Sequence, residues 1–283
     1  MPVEARISAG ILNVRLHPHP EGVYKDFIEA LYKLKKPVKI WGDRWGMISL
    51  LSKPDEESGV VSGLITTFTK IDMDQPWFDA QNLEEASSEA LSEIDLPSNL
   101  FPNASTFNFV FDTDKHKLYI QTRSRRNRLS INLANTLFQK LSDDLKITTR
   151  FGQAAIDVVQ SKMGLERIFS LKVLKKVKLI INKPNADVFD DDFDENIEKY
   201  MLETHMKRME MEFTAESGQS IAPNDSLKRV GESALEHGVV IGEGRDADGP
   251  VTRSSKEFPR QIVGSFDPNS EQENLAFRQM IGR

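Results

Sequence analysis

Phenylalanine stands at every second position of 106-TFNFVFD-112, at 107, 109 and 111, and that spacing leaves the backbone little choice. Only an extended strand turns alternate side chains to one face, so the three rings must be buried together against something else. The run 117-KLYIQTR-123 repeats the period, with Leu118 and Ile120 facing one way and Lys117, Tyr119, Gln121 and Arg123 the other. A polar turn, 112-DTDKHK-117, leads from one run to the next.

Around this pair the periodicity alternates between two and about 3.6. Residues 7–17 read as a strand, and 23–36 as a helix in which Val23, Phe27, Leu31 and Leu34 share a stripe that Pro37 ends. Strand-like runs follow at 38–51 and 60–71, then a short helix near 83–94. From Ser130, a suitable N-cap, residues Ile131, Ala134, Phe138, Leu141 and Leu145 form one helical stripe. Beyond it come a strand at 154–160, a short helix within 163–174 and a strand at 175–185. That strand sets Val177, Leu179 and Ile181 against Lys176, Lys178 and Asn182, with Ile180 on the second face. A helix at about 192–207, a strand at 209–216, a helix at 224–238, a hairpin over 239–255 and a short helix at 271–281 complete the chain.

Strands mixed with short helices in this order give an α+β fold, with largely antiparallel sheets and short helices packed on them. The proline-bearing linker at 95–105 is the expected boundary. It would divide an N-terminal α+β domain, 1–95, from a C-terminal one, 96–255, leaving 256–283 as a loosely attached tail. Two sub-domains and one shared core both fit a chain of 283 residues.

No apolar run approaches the roughly 18 residues a membrane span needs, and the N-terminus lacks the basic start and apolar block of a signal peptide. A cytoplasmic chain without membrane contact is expected. Cysteine is absent, which removes disulfides, Cys-ligated zinc, iron–sulfur clusters and thiol nucleophiles. His17 and His19 have no further metal ligands in view, and Gly242 and Gly244 precede no phosphate-binding helix. Trp41, Trp45 and Trp77 read as core or edge anchors. No catalytic residue, metal or cofactor is indicated.

Charge is segregated. Residues 117–183 hold fifteen Lys and Arg against four Asp and Glu, a local +11 in a chain of net −6, so the remainder carries −17. Residues 184–216 reverse the balance with eleven acids and three bases. Within the basic stretch, 123-RSRRNRLS-130 places Arg123, Arg125, Arg126 and Arg128 immediately before a helix. Cations are unfavourable at a helix N-terminus, where free amides already carry partial positive charge. Helix stability therefore fails to explain them, whereas an external anion does. Tyr119 could stack a base, and Lys172, Lys175, Lys176 and Lys178 extend the patch if the fold brings them alongside. The competing reading pairs the arginines with the acidic run Asp190, Asp191, Asp192, Asp194 and Glu195, within the chain or across a homo-oligomer. As magnesium ligands those acids would serve a nuclease, but as helix-entry residues they need no metal.

The segments 96-LPSNLFPNASTFNFVFDTDKHKLYIQT-122, 175-KKVKLIINKPNADVF-189 and 212-EFTAESGQSIAPN-224 resemble an uncharacterised bacterial family, a domain of unknown function, from about residue 96 onward. The order of a Phe-rich strand pair, a helix and the strand 177-VKLIINKP-184 is also similar to the RexA sensor family of phage lambda exclusion. That resemblance implies a dimer-forming, DNA-binding α+β protein, and transfers no functional residue. The expectation is a largely sequence-nonspecific nucleic-acid-binding component of bacterial phage defence. The alternatives are an interaction or oligomerising protein whose basic patch docks an acidic partner and, third, a metal-dependent nuclease.

Overall fold

The computed structural model describes residues 4–17, 20–52, 59–124, 127–183 and 192–283, the side chains of 192–195 and 198 excepted. Strand β1 (Ala5–Arg15) leads into helix α1 (Val23–Lys33) and then β2 (Val38–Trp41), β3 (Arg44–Leu51) and β4 (Val60–Thr69). A mostly exposed excursion carries the paired strands β5 (Phe78–Asp79) and β6 (Glu84–Glu85) and the short α2 (Ser88–Ser92). Next come β7 (Ser105–Asp112), β8 (Lys117–Ser124), β9 (Asn127–Arg128), α3 (Ile131–Ser142), α4 (Leu145–Phe151) and β10 (Ala155–Val158). The remainder is α5 (Lys162–Phe169), β11 (Val173–Asn182), α6 (Asp192–Glu203), β12 (Arg208–Thr214), α7 (Asp225–His237), β13 (Gly238–Asp246), β14 (Gly249–Ser254), β15 (Gln261–Phe266) and α8 (Glu273–Met280).

The fold is α+β. One sheet runs β10-β1-β8-β7-β4-β3-β2, with β15 also on β1 and β9 on β8; a second runs β12-β11-β13-β14. Every pairing between these strands is antiparallel. Phe107, Phe109 and Phe111 are fully buried on one face of the large sheet, in a core completed by α1, α3 and α4. Val110, between them, is buried on the opposite face, where Phe277 and Ala276 of α8 cover β1 and β7. The middle strands are thus apolar on both sides. Val177, Leu179 and Ile181 are the buried row of β11, under α5, α6 and α7.

Several expectations change. The boundary at 95/96 does not divide the molecule, because β4 and β7 pair across it and β1 pairs with β8. Residues 256–283 are no loose tail: β15 pairs with β1 from Ala5 to Gly10, and Phe277 is fully buried. The stripe from Ile131 breaks at Ser142, and Asp144 caps a new helix. Leu145 consequently points out, 79% exposed, and Ile147 and Phe151 take its place in the core. Of the two places expected for Trp41, core or edge, it takes the edge: it ends the outermost strand β2 with 73% of it exposed. The close approach of β13 to β11 explains Gly244, where a Cβ would lie 2.0 Å from the Val173 carbonyl oxygen.

The two sheets meet through polar groups. Gln160 Nε2 donates to the Gly238 carbonyl at 2.6 Å, and Lys117 on β8 pairs with Glu236 on α7 at 2.8 Å. Burial opposes the Glu236 charge, but Lys117, with Arg260, holds its carboxyl below the usual range. Asn13 Nδ2 donates to the Glu236 carbonyl at 3.3 Å and lies 3.2 Å from His237 Nδ1. Burial, reinforced by the Arg15 and Lys117 charges, pushes the His237 imidazole down to about 3, so the folded ring is neutral and Nδ1 can accept from Asn13.

An unfolded histidine titrates near 6.5, so between that value and about 3 the unfolded chain binds the extra proton. Stability should therefore fall as pH drops through this window. Urea denaturation at pH 7 and pH 5 should show a loss of about 2 kcal/mol attributable to this group. His237→Gln should remove that part of the pH dependence, and an identical dependence in the variant would reject the assignment.

Candidate nucleic-acid interface

The first turn of α3 is seated on β1 at Gly10. A Cβ there would lie 2.8 Å from the Ile131 side chain, so only glycine admits the helix at this depth. Ser130 caps the helix by accepting from the Leu133 amide at 3.3 Å. No acid occupies the first turn. The cap's bond leaves the amides of Ile131 and Asn132, the two residues before Leu133, to other acceptors.

The arginine run is not a simple lead into this helix. It folds back as β8 and β9, with Arg123 directly opposite Arg128 and Ser124 opposite Asn127. Arg125 and Arg126 lie outside the described residues. Like charges facing each other across strands repel, so the structure around them has to enforce the pairing. Leu129 does so from the core, fully buried, with its amide on the Thr122 carbonyl at 3.0 Å. Arg44 adds a bond from Nη2 to the Arg128 carbonyl at 3.0 Å. On the other strand, fully buried Gln121 donates to the Arg123 carbonyl at 3.1 Å and to Glu273 of α8 at 2.6 Å, and accepts from both nitrogens of Asn108.

Between these elements lies a cleft of about 320 Å³ lined by Arg123, Arg128, Ser130, Ile131, Asn132 and, from β15, Gln261. Neither arginine has an ion-pair partner among the described residues. Two guanidiniums beside the positive end of a helix form an anion site in electrostatic terms. Gln261 also lines a neighbouring cleft of about 520 Å³ between α5, α7 and β15, where Arg229 and Arg260 project. The acids there are compensated: Glu232 pairs with Lys162 at 2.9 Å and Glu236 with Lys117. Arg229 and Arg260 have no ion pair among the described residues. Sequence reasoning missed both. Arg229 could have been found from the polar face it shares with Glu232, Ser233 and Glu236 on α7; Arg260, in a segment taken as loose, carried no local signal.

The other expected residues go elsewhere. Tyr119 is half-buried against the core under α8 and does not line the cleft. Lys172, Lys175, Lys176 and Lys178 belong to β11 or its approach in the second sheet and line neither cleft. Lys178 pairs with Glu210 at 2.6 Å and Lys176 with Glu212 at 3.1 Å. The bond to Glu212 raises the Lys176 ammonium above its ordinary value, and the bond from Lys178 lowers the Glu210 carboxyl. Lys175 donates to the Gln219 carbonyl at 3.0 Å, and Lys172 is exposed. Asp190 and Asp191 lie outside the described residues, as do the side chains of Asp192, Asp194 and Glu195. Among the described residues no three His, Asp or Glu side chains group as a metal site.

A family model described as a domain of unknown function, DUF4747, matches residues 5–282, from the first residue of β1 to beyond α8. The chain belongs to the DUF4747 family. The likeness seen from residue 96 onward therefore extends through the N-terminal strands as well. No curated protein and no solved structure matches the chain. Among the described residues of this DUF4747 chain no helix is long and apolar enough to cross a membrane.

Gln121 is the residue on which the arginine hairpin of the DUF4747 chain is hung. Gln121→Leu preserves volume but strips partners from Asn108, Glu273 and the Arg123 carbonyl. Denaturant unfolding should show a loss of about 1–3 kcal/mol, and a change within measurement error would mean these bonds are replaced by water.

Proposed function

We propose that this protein binds nucleic acid through backbone phosphates, with little sequence preference, at the cleft formed by Arg123, Arg128 and the start of α3. The observation that carries the reading is the enforced opposition of two guanidiniums, unpaired among the described residues, at a helix N-terminus that has no acid in its first turn. Phosphate answers that arrangement with charge and with acceptors for the guanidinium forks and amides. Arg229 and Arg260, in the cleft that shares Gln261, extend the contact to further phosphates. Contacts of this kind position a protein on the backbone without reading sequence. The setting proposed with it is a bacterial phage-defence component acting as an oligomer, as a resemblance of the sequence order to the RexA family would imply.

A second reading is a docking protein that uses the same arginines against an acidic partner or a second copy of the chain. The exposed apolar side chains of Phe78, Leu83 and Leu100, at 68%, 75% and 66%, favour a protein contact near residues 72–104.

Fluorescence anisotropy with duplex DNA across a salt series separates these readings. Affinity should fall steeply with salt, and Arg123→Ala with Arg128→Ala should reduce the log–log slope by about 1.8, or about 0.9 for each phosphate left without its arginine. Absence of binding at low salt rejects the proposal. If light scattering then gives a mass above 32.1 kDa that the same substitutions lower, the docking reading gains. In a bacterial host, expression should reduce phage plating and the double variant should restore it; equal plating by both would remove the defence role.

A further inference from the structure

A separate cavity of about 720 Å³ lies where the ends of β1 and β10 approach the turn from α6 into β12. Arg15, the last residue of β1, lines it and is only 1% exposed. Its Nη2 is bonded to Asp157, but Nε and Nη1 are buried without a hydrogen-bond partner among the described residues. Enclosing a guanidinium with two of three nitrogens unanswered costs several kcal/mol in general. The Asp157 carboxylate is shared, since Asn182 Nδ2 donates to it at 3.3 Å.

Further positive charge faces the same space. The end of β11 and the approach to β12 are joined by the Lys183 amide on the Lys207 carbonyl at 3.1 Å, which brings both lysines to the cavity. Lys207 Nζ reaches Gln153 Oε1 at 3.3 Å, and His205, held at φ +56°, lines the same wall. Asp157 is the single acid among the described lining residues, against the three permanent cations Arg15, Lys183 and Lys207. The rest of the lining combines apolar side chains, Ile156, Leu202 and Met206, with the carboxamides of Gln139, Gln153 and Asn182.

We propose that this cavity binds a mononucleotide, with its phosphate on Arg15, Lys183 and Lys207 and its base against the apolar wall, where carboxamides can meet the base edge. The volume falls within the roughly 300–1,000 Å³ of small-molecule sites. This site is distinct from the cleft at Arg123 and Arg128. The two share no lining residue.

Isothermal titration calorimetry of the full chain with AMP, ATP, inorganic phosphate and adenosine tests it. AMP or ATP should bind, with adenosine and inorganic phosphate each weaker by about tenfold or more. Because Arg15→Gln puts the fold at risk, the exposed Lys207 and half-exposed Lys183 carry the test: Lys183→Ala with Lys207→Ala should weaken nucleotide binding by about tenfold, or about 1.4 kcal/mol. Arg123→Ala with Arg128→Ala should leave it unchanged while weakening DNA binding and flattening its salt dependence, so the two sites fail separately. No heat with either nucleotide at about 1 mM, binding untouched by the lysine pair, or phosphate binding as tightly as AMP would each overturn the assignment.

Discussion

Strand β1 is hydrogen-bonded along both edges and covered on both faces, and the geometry of the arginine cleft follows from that. One edge carries β8, while the other carries β15 over Ala5–Gly10 and then β10 over Leu12–Arg15. A strand so enclosed cannot slip in register without turning buried residues outward. The cleft is referenced to it at three places. Gly10 sets the depth of α3, Ser8 Oγ lies 2.9 Å from Thr122 Oγ1, and the register shift between Ser8 and Ala9 puts Arg123 opposite Ser8. Bulges re-aim the side chains that follow them, and here the residue that follows is the arginine.

Much of this was legible wherever burial is one-sided and local. The alternation of Phe107, Phe109 and Phe111, the row Val177, Leu179 and Ile181, and the stripe of α1 each follow from a period that a short window contains. Strand β15 was not legible for a physical reason. Its run 261-QIVGSF-266 contains a glycine and leaves Val263 67% exposed, and its pairing partner lies at the other end of the chain. Non-local pairing leaves no trace in a window of ten residues. The break between α3 and α4 was hidden differently, because Leu145 continues the stripe while Asp144 offers a competing cap.

Charge shows the same division more sharply. Arginines and lysines in one basic stretch meet opposite fates because strand register, rather than composition, decides what each one faces. Lys176 and Lys178 lie beside β12, whose alternating Glu210 and Glu212 answer them across the ladder. That pairing was readable in 208-RMEMEFT-214, where acids and apolar residues alternate with the same period. Arg123 and Arg128 have each other as cross-strand neighbours and Ser8 on the far side, none of which can neutralise them. A local excess of eleven charges is therefore not one patch: part is cancelled within the second sheet, and part is concentrated at a helix end.

The contact between the two sheets bears on the cleft as well. Glu236 lines the cleft that holds Arg229 and Arg260, and its partner Lys117 opens β8, the strand that carries Arg123 near its other end. Gln160, Asn13 and His237 complete this contact with directional bonds. A hydrogen bond fixes an angle as well as a distance, whereas apolar faces of similar area can slide. An interface built this way holds the α7 arginine at a set orientation to the β8–β9 hairpin. Two guanidinium clefts that meet at one glutamine keep a fixed spacing only if that orientation is kept, and the buried polar contact between the sheets is what keeps it.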